Sequence, residues 1–302
     1  MIEFATTLCH EVSEMSPSSI STNSPQLEPP AAGENPRQFL LTNAGADLVG
    51  GLKRYDIWGR LGWLEVRRRY QRTVIGPFWA TISFAIFVGA FGAVGAGLWH
   101  QPVGTFLPFL TAGMMIWLML SAILTEAGTL FVGANNIFGQ TRLNYSMLVY
   151  AMIWRNLIVF AHNILFFFAL LLLLSPSDVN PNMLLAIPGM LVVILNCVWT
   201  TLLLGMFCLR FRDMQQFISS VIQVCLFVTP IFWPPEILTG TERGFIVSLN
   251  PLYHLIEIVR RPLLGQIPAM VSYEAALLMT AIGWTITYFV FRSFRKRIAY
   301  WA

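Results

Sequence analysis

Few side chains in this sequence have the types and spacing for chemistry. His254-Leu-Ile-Glu257 sets an imidazole and a carboxylate three residues apart, on one helical face, as two metal ligands would be. Two ligands are too few for a closed metal site, and no cysteine or third histidine lies near in sequence. A structural or interfacial pair is the stronger reading. Glu126 and His162 are ionisable groups inside long apolar runs, where a charge is costly and therefore points to function by default. Glu126, however, lies near the end of its run and can reach the interface. Asn156, Phe160 and Asn163 share one helical face. That face is either an interhelical hydrogen-bonding seam or a polar stripe on a translocation path. Arg67, Arg68, Arg69 and Arg72 suit a phosphate headgroup, because a guanidinium binds phosphate oxygens in pairs; they equally suit plain anchoring at a membrane face.

Other chemistry is missing. The lysines are Lys53 and Lys296, and neither follows the glycines of a GxxxxGK[ST] phosphate loop. The chain therefore has no P-loop with which to hydrolyse ATP, and no cofactor of its own is expected. GxSxG and HExxH are absent as well. An integral membrane transferase would need a convergent acid/base cluster, whereas Glu126, His162 and His254 sit on different elements. No series of buried carboxylates runs through the apolar segments, which argues against a proton- or sodium-coupled carrier.

The elements that position these groups follow from composition. The chain has 302 residues, 56% hydrophobic and 11% charged, against about 25% charged in an ordinary soluble domain. It belongs in lipid. The net charge of +4 would fit nucleic acid, but the basic residues cluster at the edges of apolar runs, which is a topology signal. Cys9, Cys197, Cys208 and Cys225 show neither disulfide nor metal spacing. Residues 1–46, rich in Ser, Pro and Asn, read as a disordered tail without the pattern of a signal peptide.

Six apolar runs, about 78–98, 106–131, 148–174, 183–209, 217–233 and 271–291, each have roughly the length that crosses a bilayer. Backbone groups in lipid must bond internally, so the runs predict helices and an all-α integral membrane fold. Lys and Arg are dense before the first run, in the alternate turns and in the tail 292–302, which places both termini in the cytoplasm. Residues 47–72 alternate apolar and basic groups at helical spacing and predict an amphipathic helix in the interface. Residues 234–270, apolar but broken by Pro and Gly, predict re-entrant half-helices around a path. Thr229-Pro230 breaks the fifth run near its exit. Thr229, Trp233 and Tyr253 are candidates for the outer part of that path.

On these residues the sequence resembles a known family. "RRRYQRTVIGPFWATI" (67–82), "IWRNLIVFAHNI" (153–164), "LRFRDMQQFISSVIQVCLFVTPIFW" (209–233) and "LNPLYHLIEIVRRPLLG" (249–265) look like the ABC-2 type permease subunit of bacterial polysaccharide, O-antigen and lipopolysaccharide ABC exporters. The resemblance runs from about residue 50 to the end and implies an ABC-2 type transmembrane domain over 47–302. It implies a homodimer in the inner membrane, bound to two cytoplasmic nucleotide-binding ATPase subunits that carry the ATP and Mg. The implied cargo is an undecaprenyl-pyrophosphate-linked glycan, with a smaller lipo-oligosaccharide or a drug as the alternative. The segments implied to touch the ATPase carry Asn135, Asn136, Gln140, Thr141 and Arg142 in one turn and Arg210, Arg212 and Asp213 in the next. The family often has a Lys-Phe-Pro-like element in the first of these; Gln140-Thr141-Arg142 stands there instead.

Overall fold

The second apolar run organises the molecule. In the computed structural model, which describes residues 44–71, 73, 75–76, 78–132, 144–176, 179–238 and 241–301, it forms helix α4 (Val103–Ala127). Around α4 stand α3 (Phe78–Leu98), α5 (Tyr145–Leu174), α6 (Ala186–Arg210), α7 (Met214–Val228) and the short α9 (Pro251–Leu263). Most of α4 is buried, including Leu110, Met115, Ile116 and Ile123. A helix apolar on all sides has to be central, and the others complete its shell. The long α10 (Met270–Trp301) packs chiefly on α6. Among the described residues every regular element is helical.

Five helical segments are long and apolar enough to cross a membrane: Phe78–Leu98, Val103–Ala127, Tyr145–Leu174, Pro181–Arg210 and Met270–Arg295. The fifth apolar run behaves differently from the expectation. Its helix α7 starts earlier, at Met214, stops at Val228 and has 15 residues, roughly 22 Å at 1.5 Å per residue. The stop has a local cause. The ring of Pro230 disfavours helical backbone at the preceding residue, and Thr229 is extended, with φ −81° and ψ 132°.

The amphipathic segment is two helices, not one: α1 (Ala44–Lys53) and α2 (Tyr55–Tyr70), broken at Arg54 (φ −88°, ψ 52°). Gly50-Gly51 immediately before the break lowers helix propensity there. α1 begins at Ala44, inside the stretch expected to be disordered; residues 1–43 lie outside the described residues. Both helices lie on α5. Gly62 lets α2 come close, since a Cβ there would fall 2.7 Å from the Ala151 carbonyl oxygen.

The tail expected after residue 291 continues as helix to Trp301. Its buried Arg295 donates from Nε at 2.9 Å, and from Nη2 at 2.6 Å, to Asp47 of α1. Ser146 at the start of α5 adds bonds to the same carboxylate from its backbone N–H at 3.2 Å and its hydroxyl at 2.9 Å. Three elements distant in sequence are thus pinned at one end of the bundle, called here the near end. The far end carries the α3–α4 turn and the segment from 229 to 269.

That segment is a chain of short helices: 3-10 turns at Pro235–Ile237 and Glu242–Gly244, then α8 (Phe245–Ser248) and α9. α9 is buried along most of its length, from His254 to Arg260. Gly189 of α6 gives it room, because a Cβ there would lie 2.3 Å from the Ile258 oxygen. Arg260 of α9 reaches Gly113, ten residues inside α4, so α9 packs against the bundle helices.

Candidate functional site

The last turns of α2 and α4 meet the first half of α5 at the near end, and their charges form one network. Arg155 of α5 bonds to Glu65 of α2 and to Glu126 of α4. Arg69 of α2 donates from Nη2 to Glu126 Oε1 at 3.0 Å. Asn156 donates from Nδ2 to Glu126 Oε2 at 3.1 Å and to the Met152 carbonyl at 3.0 Å. Two carboxylates and two guanidiniums balance, which is what lets them sit half-buried beside apolar helices. Glu126 is the hub. The sequence marks it as a group that can simply reach the interface; the signal available was a second charge in an apolar run, Arg155.

Above this network α3, α4 and α5 leave a cleft of about 410 Å³. Arg69 and Tyr70 stand at its mouth, and Asn156, Phe160 and Asn163 line one wall. The helical spacing of those three residues had put them on one face, and the structure brings that face together with the arginine segment. Asn163 Oδ1 accepts a 3.2 Å bond from Thr81 Oγ1. Its Nδ2 has no hydrogen-bond partner among the described residues. Glu126 does not line the cleft, so Arg69 presents there a cation whose Nε and Nη1 have no hydrogen-bond partner among the described residues, beside an amide donor on the wall and apolar surface from Phe84, Phe87 and Met115. Such a site suits an anionic headgroup attached to an apolar chain.

The other candidate residues are distributed differently. Arg67 and Arg68 are exposed on α2; Arg72 lies outside the described residues, as do Asn135, Asn136, Gln140, Thr141 and Arg142. Arg210 lies over the Phe211 ring, 5.5 Å from its centroid. Arg212 and Asp213 are exposed in the short turn between α6 and α7. Thr229, Trp233 and Tyr253 belong to the far end, apart from the cleft residues. Buried Thr229 accepts a 2.9 Å bond from Asn250 Nδ2, and Trp233 donates at 3.2 Å to the Phe227 carbonyl. Tyr253 packs against His254, and burial raises the pKa of its hydroxyl.

His254 and Glu257 have different partners. His254 contacts Ser272 Oγ at 3.1 Å and the Ser248 carbonyl at 2.8 Å. Glu257 accepts from Arg260 Nε at 3.0 Å and Nη2 at 2.5 Å, and from Arg261 Nε. Burial opposes ionisation of Glu257, but the two guanidiniums outweigh it and hold the carboxyl below its usual value. Arg260, 1% exposed, also donates from Nη1 to the Pro230 carbonyl at 2.7 Å, and its guanidinium lies 4.2 Å from the Phe109 ring centroid. The carbonyl exposed by the break in α7 is thus satisfied from α9.

A family model described as ABC-2 type transporter matches residues 58–264, a stretch that starts in α2 and ends just past α9. The chain is also similar to the O-antigen export system permease protein RfbA of Myxococcus xanthus. The two are 20% identical over 196 residues, covering 64% of this chain and 74% of that protein. With well over half of its length matched, and with five membrane-length helices among the described residues, α4 being one of them, this chain belongs to the ABC-2 type transporter family and is a multi-pass membrane permease.

Proposed function

We propose that this chain is the membrane subunit of an ATP-driven exporter that moves an undecaprenyl-pyrophosphate-linked polysaccharide, O-antigen or capsule-like, across the bacterial inner membrane. The observation that carries the reading is the cleft, with Arg69 at its mouth and Asn156 and Asn163 on its wall. Arg69 and the unpartnered Asn163 amide suit a pyrophosphate, and the apolar helices suit the polyprenyl chain. The likeness to an O-antigen export permease supports the same cargo.

The energy comes from two nucleotide-binding subunits, which bind ATP and Mg on the cytoplasmic side. The density of basic residues supports a cytoplasmic near end and cytoplasmic termini. Arg212 and Asp213, exposed at the near end, offer one docking point. The network joining Glu65, Arg155, Glu126 and Arg69 gives a path from the interfacial helix α2 to the cleft. A rigid-body push on α2 would then move the cleft wall, as domain motions do in other switching proteins. In this reading α7 is a sixth, short span, completed by the inserted far-end helices.

A polymer needs more room than one cleft. On α7, Phe217, Val221, Val224 and Phe227 are all exposed on one face, which offers an apolar seam to a second copy of the chain. The volume of about 410 Å³ in one copy keeps a second reading open, a permease for a smaller lipid-linked sugar or a drug. The test is a strain lacking this chain. Surface glycan should disappear while the lipid-linked glycan accumulates inside; surface glycan at its normal level would contradict the proposal.

A further inference from the structure

A second cavity, of about 570 Å³, opens at the far end between the α3–α4 turn, the Pro234-Pro235 turn and α9. The cleft residues take no part in it. Trp99 lines it half-buried, its ring parallel within 15° to that of Phe106. Phe109 stands beside Trp99 and Phe106 on the wall. Gln101, Gln266 and Glu236 are exposed at its edge. Glu257 is saturated by the two arginines and serves to hold them. Arg260 is spent on Glu257 and Pro230. Arg261 is not: only its Nε is engaged, and among the described residues Nη1 and Nη2 have no hydrogen-bond partner. Its side chain is 32% exposed.

From this wall we infer that the far-end cavity binds a neutral sugar unit of the exported glycan. The inference rests on the polysaccharide reading above and adds a second contact for the same cargo. The charges decide between ligand classes. Glu236 and Glu257 balance Arg260 and Arg261, so the cavity has no net charge with which to hold an anion. It offers instead what a polyhydroxyl ring needs. Arg261 and the two glutamines donate, Glu236 and the glutamine carbonyls accept, and the aromatic rings cover the apolar C–H face. A pocket of mixed aromatic wall and few fixed polar groups is the usual form of a small-ligand site. The far end is where chain passing through the bundle would leave it, and Arg260 couples this cavity to the Pro230 break. Sugar bound there sits against the same helix, α9, that closes the far end.

The test uses the permease together with its ATPase partner in nanodiscs. The probe is polysaccharide released from the producing cells by mild acid, free of carrier lipid. Saturation-transfer NMR should show transfer from the protein to sugar-ring protons. Trp99→Ala and Arg261→Gln should each weaken binding by about tenfold, Trp99→Phe should keep most of it, and Arg243→Gln, exposed and outside the cavity, should leave it unchanged. Inorganic phosphate at matched concentration should not compete. Absence of transfer with the wild-type complex overturns the inference, and so does equal transfer in Trp99→Ala and Arg261→Gln. Competition by phosphate overturns the assignment to a neutral sugar. Surface glycan measured in the same strains separates two failures. Export without far-end binding removes only this inference, whereas a wild-type chain that supports no glycan export removes the reading beneath it.

Discussion

Arg69 Nη2 lies 3.0 Å from Glu126 Oε1, and this contact joins the last turn of α2 to the last turn of the central helix α4. Arg155 pairs with the other oxygen of the same carboxylate. One side chain, Glu126, therefore connects the surface segment to the core of the bundle.

Replacing Glu126 with Gln removes the negative charge that both arginines share and leaves one acceptor oxygen where two were used. Arg155, with its Nε already buried and unpartnered, would keep only Glu65 as an anionic partner among the described residues. Breaking a partly buried pair in this way costs about 3 kcal/mol. Scanning fluorimetry in nanodiscs should show a fall in Tm for E126Q, and a smaller fall for E126Q combined with R155M. An unchanged Tm in the single variant would remove Glu126 as the hub.

The buried Asp47–Arg295 pair predicts where the C-terminal helix is held. Asp47→Asn should loosen the last turns of α10 and raise protease cleavage after Arg297, while the double variant D47L/R295M should restore protection. Replacing a whole buried pair by apolar groups is often neutral, whereas removing one partner leaves a buried charge. Equal cleavage in D47N and the wild type would show that the pair holds nothing.

The Glu257 carboxyl gives a pH prediction. Its pKa is held below the ordinary value in the folded protein, so its contribution to stability is complete above the unfolded carboxylate pKa, about 4.3. That contribution is lost only as pH falls through the lower folded value. The stability gap between wild type and E257Q should be constant from pH 7 to about 5 and close below about 4. A gap that closes near neutrality would contradict the ionised pair.

Arg212 and Asp213, exposed between α6 and α7, predict uncoupling. The double Ala variant should keep its fold and its ATPase partner's basal turnover but lose most export. Wild-type export in that variant would take the coupling role from this turn.

Much of the fold was legible because period and length are strong signals in lipid. The first run, read as about 78–98, matches the helix Phe78–Leu98 because Gly76-Pro77 before it and His100-Gln101-Pro102 after it punctuate the apolar pattern. The break at Thr229-Pro230 was legible from proline geometry alone. What sequence did not reveal were pairings over long separations. Asp47 with Arg295 spans almost the whole chain, and nothing local marks either residue, so residues 292–302 read as a tail. Glu126 was visible but its partners were not, since Arg69 had a sufficient explanation as a membrane-face anchor and Arg155 lies on another helix, 29 residues away. The wall formed by Asn156, Phe160 and Asn163 was legible as a face. That Arg69 stands at the mouth of the same cleft depends on how α2 lies on α5, which is set by Gly62 and the Ala151 carbonyl.

The central claim is that this cleft receives a pyrophosphate-linked lipid. It is tested most directly by ATP hydrolysis in proteoliposomes holding the permease and its ATPase, with and without undecaprenyl-pyrophosphate-linked glycan. The wild-type complex should be stimulated by the lipid-linked glycan. Arg69→Ala and Asn163→Leu should assemble, keep basal hydrolysis and lose most of the stimulation. Full stimulation in both variants, or none in the wild type, would contradict the account.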